Sequence, residues 1–253
     1  MKAHYKFPRT PHIYGSIHIE KGDSILNKKD SEALLNSSKL LLQEKVDGSN
    51  IGIFFDNEGN PVFQHRGQII NPKEDIEFHK LMDWYELNDG NLFDLLSENE
   101  TLFGEWLYYA HSISYDRLPS FFMAFDIFNK EKERFISQAS LKERLKDSGI
   151  ESLPVIRQGL ILQLNNLEQD KFNYDLYLKM SLKPLLGISN YGPEKMEGFY
   201  FRIDDNSYNL QRAKYVNPEF SKKIREHWKD ALIRNSKNSP KNKSLNSLES
   251  VWT

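Results

Sequence analysis

The sequence predicts an α+β domain of mostly antiparallel sheets flanked by helices, and three observations carry that expectation. Short apolar and aromatic runs of strand type are joined by hairpin turns, as at Asp56-Asn57-Glu58-Gly59-Asn60 and Asp204-Asp205-Asn206. Helical spacing is confined to a few stretches, at 75–87, 140–149 and 217–232. With 253 residues, 39% of them hydrophobic and 13% aromatic, the chain can bury one sizeable core without a staple, so residues 1–234 are expected to form one domain. Residues 235–253, rich in Asn, Ser and Lys, are expected to be a flexible polar tail that the core does not need.

Composition also removes function classes. Zero cysteines exclude a disulfide framework, thiolate zinc ligation and a thiol nucleophile. No apolar run reaches eighteen residues, and Met1-Lys2-Ala3-His4-Tyr5-Lys6 leads into Pro8 rather than an apolar stretch, so a soluble cytoplasmic protein without a membrane partner is expected, as a monomer. The balance of 34 basic and 36 acidic residues gives no global signature of nucleic-acid binding, although a local basic groove would be invisible in such an average.

In chain order, Phe7 to Gly15 carries Pro8, Pro11 and Gly15 and reads as an extended arm or strap. Leu40 to Phe55 is the centre of the chain. An apolar strand breaks at Gln43-Glu44-Lys45, turns at Asp47-Gly48 and resumes at Ile51, placing one lysine where two buried strands meet. An amine so placed, with limited hydration and other cations nearby, is expected to have a lowered pKa and to act as a nucleophile, although the same letters also suit a plain charged turn. After the hairpin at 56–60, the returning strand from Pro61 ends at Arg66-Gly67, 21 positions beyond Lys45. Asp75 to Leu87 has an apolar stripe at Phe78, Leu81, Met82 and Tyr85 and reads as one amphipathic helix.

Two aromatic strands then each hold one carboxylate. Thr101 to Tyr109 contains Glu105 and Phe121 to Phe128 contains Asp126, and a charge in such company is costly unless it is paired. Ser140 is expected to cap a helix ending at Gly149, and the apolar residues between Leu160 and Leu186 form no catalytic constellation. Glu197-Gly198 precedes an alternating strand. Arg212 and Lys214, two apart on the next strand, share a face that suits phosphate. Asn217-Pro218 opens a last helix with Phe220, Ile224, Trp228 and Leu232 on one face.

Taken together, Lys45-Val46-Asp47-Gly48, Arg66-Gly67, Gly104-Glu105, Phe125, Glu197-Gly198 and Arg212-Ala213-Lys214 resemble, in order, the motifs of the covalent nucleotidyltransferases, the superfamily of ATP-dependent RNA and DNA ligases and mRNA-capping enzymes. Within it the chain looks like an ATP-dependent RNA ligase of the RNA-ligase-2-like phage and bacterial group. Only 39 residues follow Lys214, too few for the oligonucleotide-binding barrel of other members, so a minimal form is expected. The resemblance implies an ATP-grasp-like ligase adenylation fold. It implies that Lys45 attacks ATP, that Asp47, Glu105 and Glu197 surround Mg2+ or Mn2+, and that Arg212 and Lys214 meet the phosphates. It further implies that Arg66 faces the nucleotide, that Glu44 and Phe125 recognise adenine, and that Asn50 serves the sealing step. By the same resemblance Arg9 and His12 lie near the nucleotide, the partner is RNA with 5'-phosphate and 3'-hydroxyl ends, and an end-healing kinase or phosphatase acts alongside. A reduced DNA-nick ligase and a nucleotide-binding module without ligation are the rival readings.

Overall fold

The computed structural model describes residues 4–17, 19–161, 178, 180–220 and 232–237. In chain order the elements are α1 (Lys28–Leu35), β1 (Leu40–Lys45), β2 (Ser49–Phe55), β3 (Pro61–His65), β4 (Gln68–Ile70), α2 (Leu81–Glu86), α3 (Asp89–Leu95), β5 (Glu100–Trp106), β6 (Phe122–Asn129), β7 (Arg134–Phe135), α4 (Gln138–Leu145), β8 (Val155–Gln158), β9 (Gly198–Asp204) and β10 (Asn209–Val216). They form two sheets, a four-stranded one in the order β10-β9-β1-β8 and a six-stranded one in the order β4-β3-β2-β5-β6-β7. Every pairing within them is antiparallel, as the hairpin turns require.

The smaller sheet buries one apolar face against a helix, and the larger sheet buries both of its faces, with Phe103, Phe128 and Phe135 clustered on the side away from its helices. Leu40, Leu42, Phe199, Phe201, Ala213 and Tyr215 of the smaller sheet pack with Leu34 and Leu35 of α1. Ile51, Ile53, Leu102, Trp106, Phe122 and Ile127 of the larger sheet pack with Leu81, Leu92 and Leu141 from α2, α3 and α4. The link Val46-Asp47-Gly48 passes from β1 in one sheet to β2 in the other, so it is a crossing between sheets rather than a hairpin. Gly48 is needed there because a Cβ would lie 2.5 Å from the Trp106 carbonyl oxygen.

Several expected elements differ. The stripe at 75–87 becomes turns followed by the short helix α2, because Asp75 caps the backbone N–H of Glu77 and begins a turn. The cap of α4 is Ser137, which accepts from the Ser140 N–H, rather than Ser140 itself. The strand from Pro61 does close at Arg66-Gly67, but a further strand, β4, follows at once. With φ of 52° at Arg66 and 103° at Gly67, the two form the tight turn between β3 and β4.

Residues 235–237, expected as the start of the tail, are held by the domain. Asn235 is buried, its side chain bridges Leu107 and Tyr115, and Ser236 N–H donates to the Tyr115 carbonyl. Residues beyond 237, most of the apolar residues expected between Leu160 and Tyr177, and residues 221–231 of the last expected helix lie outside the described residues. No described helix is long and apolar enough to cross a membrane.

Candidate active site

The two sheets meet where β1 ends. Antiparallel pairing sets Lys45 opposite Gly198, the residue after Glu197, and Lys45 Nζ donates to Glu197 Oε2 at 2.6 Å. Asn50 at the head of β2 lies opposite Glu105 of β5, so the second sheet brings its carboxylate to the same crossing. Glu105 Oε1 accepts from the Gly48 N–H at 3.2 Å.

The electrostatics reverse one expectation. Burial alone would depress the Lys45 pKa, but the Glu197 carboxylate, with Tyr200 and Glu105 behind it, outweighs burial and holds the amine above its ordinary value. The charges that act most strongly on Lys45 are acids, not cations. Burial, together with the neighbouring Asp47 charge, pushes Glu105 up to about 7 despite the opposing pull of Lys45. Burial likewise raises Glu197, with Asp47 and Glu105 adding to the shift. More acid than base is packed here, and the groups exchange protons as a set.

Asp47 spends its carboxylate locally. Its Oδ2 accepts from the backbone N–H groups of Ser112 at 2.6 Å and Ile113 at 3.1 Å, while its own N–H donates to the Tyr115 hydroxyl at 2.8 Å. Among the described residues no three His, Asp or Glu side chains form a ready-made metal site. Two buried carboxylates whose ionisation is opposed by their surroundings, and which supply only oxygen donors, nevertheless suit a hydrated divalent cation at Glu105 and Glu197. Asp47 fits an orienting role better than direct ligation.

The expected phosphate face divides. Lys214 Nζ pairs with Asp23 at 2.6 Å, whereas Arg212 donates to Asp126 at 2.8 Å and lies 4.0 Å over the Phe135 ring. Asp126 also accepts from the buried Arg202 at 2.7 Å, so this one carboxylate of β6 ties the larger sheet to β9 and β10 of the smaller. Arg212 and Phe125 line a solvent-open pocket together with Phe7, Gln43, Leu153 and Tyr200. Phe125 reaches it because it is the extra residue of a bulge, with Ala124 opposite Gly104 and Asp126 opposite Phe103.

Glu44 does not offer its carboxylate to that pocket. It is buried and accepts from the Ser189 hydroxyl and from the backbone and side-chain nitrogens of Asn190. Gly198 lets β9 approach β10, where a Cβ would meet the Tyr215 carbonyl oxygen. Arg66 is exposed on its turn, and its charge bears on Glu105. The Oδ1 of Asn50 is buried with no hydrogen-bond partner among the described residues. Arg9 and His12 both turn to Asp23, at 3.2 Å and 2.9 Å.

Sequence reasoning missed Asp23, Gln43, Tyr115 and Asn235. Only Gln43 left a signal, a lone amide at the end of an apolar run. Its Nε2 donates to the Leu153 carbonyl at 2.9 Å and to Gln138 Oε1 at 3.2 Å, while Gln138 Nε2 donates to the Phe125 carbonyl at 2.8 Å. Carbonyls at both ends can only accept, so the direction of the amide chain is fixed and Gln43 can offer a ligand only its oxygen.

An RNA ligase family profile matches residues 38–216. No curated protein matches the chain. Among solved structures, Naegleria gruberi RNA ligase with pyrophosphate has a TM-score of 0.56 at 17% identity, covering 85% of this chain and 61% of that one. A mutant of the same ligase with ATP and manganese has a TM-score of 0.54 at 15% identity, covering 86% and 62%. Another mutant with AMP and manganese has a TM-score of 0.51 at 17% identity, again covering 86% and 62%. The likeness is one of fold, and the chain spans about three fifths of the length of these relatives.

Proposed function

Because the chain belongs to the RNA ligase family, we propose that it is an ATP-dependent RNA ligase in which Lys45 takes AMP covalently, passes it to an RNA 5'-phosphate and so allows a 3'-hydroxyl to seal the strands. The observation that carries this reading is the Lys45–Glu197 pair at 2.6 Å, with Glu105 brought to it from the other sheet. In the first step the resting ammonium loses one proton to solvent, Nζ bonds to the α-phosphorus while the bond to the pyrophosphate oxygen breaks, and a second proton then passes from Nζ to solvent. Lys45 must therefore escape the hold of Glu197 before it can attack. A bound Mg2+ or Mn2+ ion would draw the charge of Glu105 and Glu197 away from the amine and offset charge growing on the phosphate oxygens.

The base would enter the pocket beside Phe125, where the fixed acceptor oxygen of Gln43 matches the exocyclic amine of adenine and opposes the carbonyl of guanine. Lys214 would meet the phosphates. Arg212, committed to Asp126, would shape the pocket and contact phosphate only by leaving that carboxylate. Asn50 would serve the sealing step, a reading supported by its unpartnered oxygen beside Glu105. Membership of the RNA-ligase-2-like group and cooperation with an end-healing enzyme belong to this same reading.

Incubation with α-labelled ATP and a divalent cation tests the first step. Acid-stable label is expected on the wild type and absent from Lys45→Ala, while Asn50→Ala should keep its label and lose strand joining. An unlabelled wild type would leave a nucleotide-binding module as the better reading. Faster sealing of nicked DNA than of RNA would favour the DNA ligase.

A further inference from the structure

The segment from Pro11 to Ile13 runs beside β10, with Lys214 N–H donating to the Pro11 carbonyl and Ile13 N–H to the Lys214 carbonyl. On its other side His12 N–H donates to Ser24 and Leu26 N–H to His12, so a second strand-like segment is zipped onto the first. This backbone ladder fixes the path of the chain without any help from the Asp23 side chain. That side chain nevertheless gathers three donors. Its Oδ2 accepts from Lys214 Nζ at 2.6 Å and lies 2.9 Å from His12 Nε2, and its Oδ1 accepts from Arg9 at 3.2 Å.

His12 is 1% exposed, and with Nε2 held by Asp23 its Nδ1 is buried without a hydrogen-bond partner among the described residues. Burial lowers the His12 pKa against the pull of Asp23, so without an anion beside Nδ1 the ring rests neutral, and the charges of Lys214 and Lys45 lower it further. Those are the two amines assigned above to the phosphates and to the attack. A buried nitrogen left unpaired beside them is an expense the fold has reason to carry only if a ligand completes it.

We infer that Asp23 is a positioning residue which, by holding His12 Nε2 and Lys214 Nζ on one oxygen, presents His12 Nδ1 and the Lys214 amine to the phosphate chain of the bound nucleoside triphosphate. The inference rests on the lysyl-adenylate reading. It assigns the arm a part in substrate binding, with Nδ1–H donating to a phosphate oxygen when His12 carries its second proton, and Asp23 balancing that charge.

The test compares the half-saturating ATP concentration and the limiting rate of lysine labelling in Asp23→Asn, His12→Gln, His12→Asn and the double variant Asp23→Asn/His12→Gln. Loss of one charge-assisted hydrogen bond should raise the half-saturating concentration about tenfold in Asp23→Asn and in His12→Gln, with a smaller change in limiting rate. Because Asp23 acts partly through His12 and partly through Lys214, the double variant should be worse than His12→Gln alone but by clearly less than the sum of the two single losses. An asparagine amide nitrogen falls near the Nδ1 position and a glutamine nitrogen near Nε2, so His12→Asn should bind ATP more tightly than His12→Gln. Additive losses, or equal behaviour of the Asn and Gln variants, would overturn the inference while leaving the lysyl-adenylate reading intact. If Asp23→Asn does not fold, the comparison of the two His12 variants decides alone. A wild type that takes no label refutes the parent reading and this inference with it.

Discussion

Asn235→Ala should unfold the protein more easily and slow lysine labelling, although the residue lies 190 positions from Lys45 in the sequence. The Asn235 carboxamide accepts from Tyr115 N–H and donates to the Leu107 carbonyl, both at 2.8 Å, and the residue is 5% exposed. Alanine leaves one buried donor and one buried acceptor unmade, each costing about 1–3 kcal/mol. The neighbouring backbone bonds, Asn235 N–H to Tyr108 and Ser236 N–H to Tyr115, survive the change, so the lower half of the summed range applies, about 3 kcal/mol. The segment pinned between Leu107 and Tyr115 supplies the Ser112 and Ile113 N–H groups that hold Asp47, so loosening it frees the loop after Lys45. Urea unfolding followed by tryptophan fluorescence measures the first effect, and the rate of label uptake at saturating ATP measures the second. A chain ending at Arg234 loses the backbone bonds of Asn235 and Ser236 as well and should be less stable than Asn235→Ala, whereas one ending at Lys237 should behave like the wild type. A loss below about 1 kcal/mol with an unchanged labelling rate would refute the reasoning, since that is the scale of a neutral surface change.

Three other changes test separate parts of the site. Asp126→Ala strands two buried guanidinium groups, but Arg202 keeps Asp204 and the Ile136 carbonyl and Arg212 keeps Asn209, so the expected loss is about 3 kcal/mol, the low end for a broken buried pair; a thermal melt within a degree of wild type would contradict it. For Glu105, a folded pKa raised to about 7 from an ordinary 4.5 means that its contribution is fully favourable below pH 4.5 and is lost as pH rises through 7. Without divalent metal, Glu105→Gln should therefore be more stable than wild type at pH 8 by about 1–3 kcal/mol and nearly equal at pH 4.5, and a difference independent of pH would contradict the assignment. Gln43→Met should weaken ATP labelling about tenfold or more and erase any preference over GTP, because it removes the oriented amide oxygen assigned to the exocyclic amine of adenine; an unchanged ATP-to-GTP ratio would exclude Gln43 from base recognition.

Local pattern made the strands legible: β1, β2, β3, β5, β6, β9 and β10 fall on apolar or alternating runs bounded by turn residues. What pattern conceals is which sheet a strand joins. Lys45 and Asn50 are five positions apart, yet β1 pairs with β9 and β2 pairs with β5, and nothing in the letters between them marks the crossing except the need for glycine at position 48. Helix bounds failed where a side-chain cap competed with the stripe, as at Asp75 and Ser137.

The charged residues show the same limit more sharply, because a charge in sequence has no partner until the fold supplies one. Arg212 and Lys214 do sit two apart on one strand, and the inference that they share a face is sound, but sharing a face does not make them share a ligand. Asp126 arrives from the larger sheet to take the first and Asp23 from the arm to take the second, so the strand carries two paired cations with different duties. The expected lowering of the Lys45 pKa failed for the same reason. A lysine at a strand end was read against its own neighbours in sequence, whereas its field is set by Glu197 and Glu105 from distant strands. A resting amine held charged by an acid has a consequence for chemistry. The protonated form stays put until something competes for Glu197, which ties the onset of nucleophilicity to the arrival of the reacting partners rather than to the empty site.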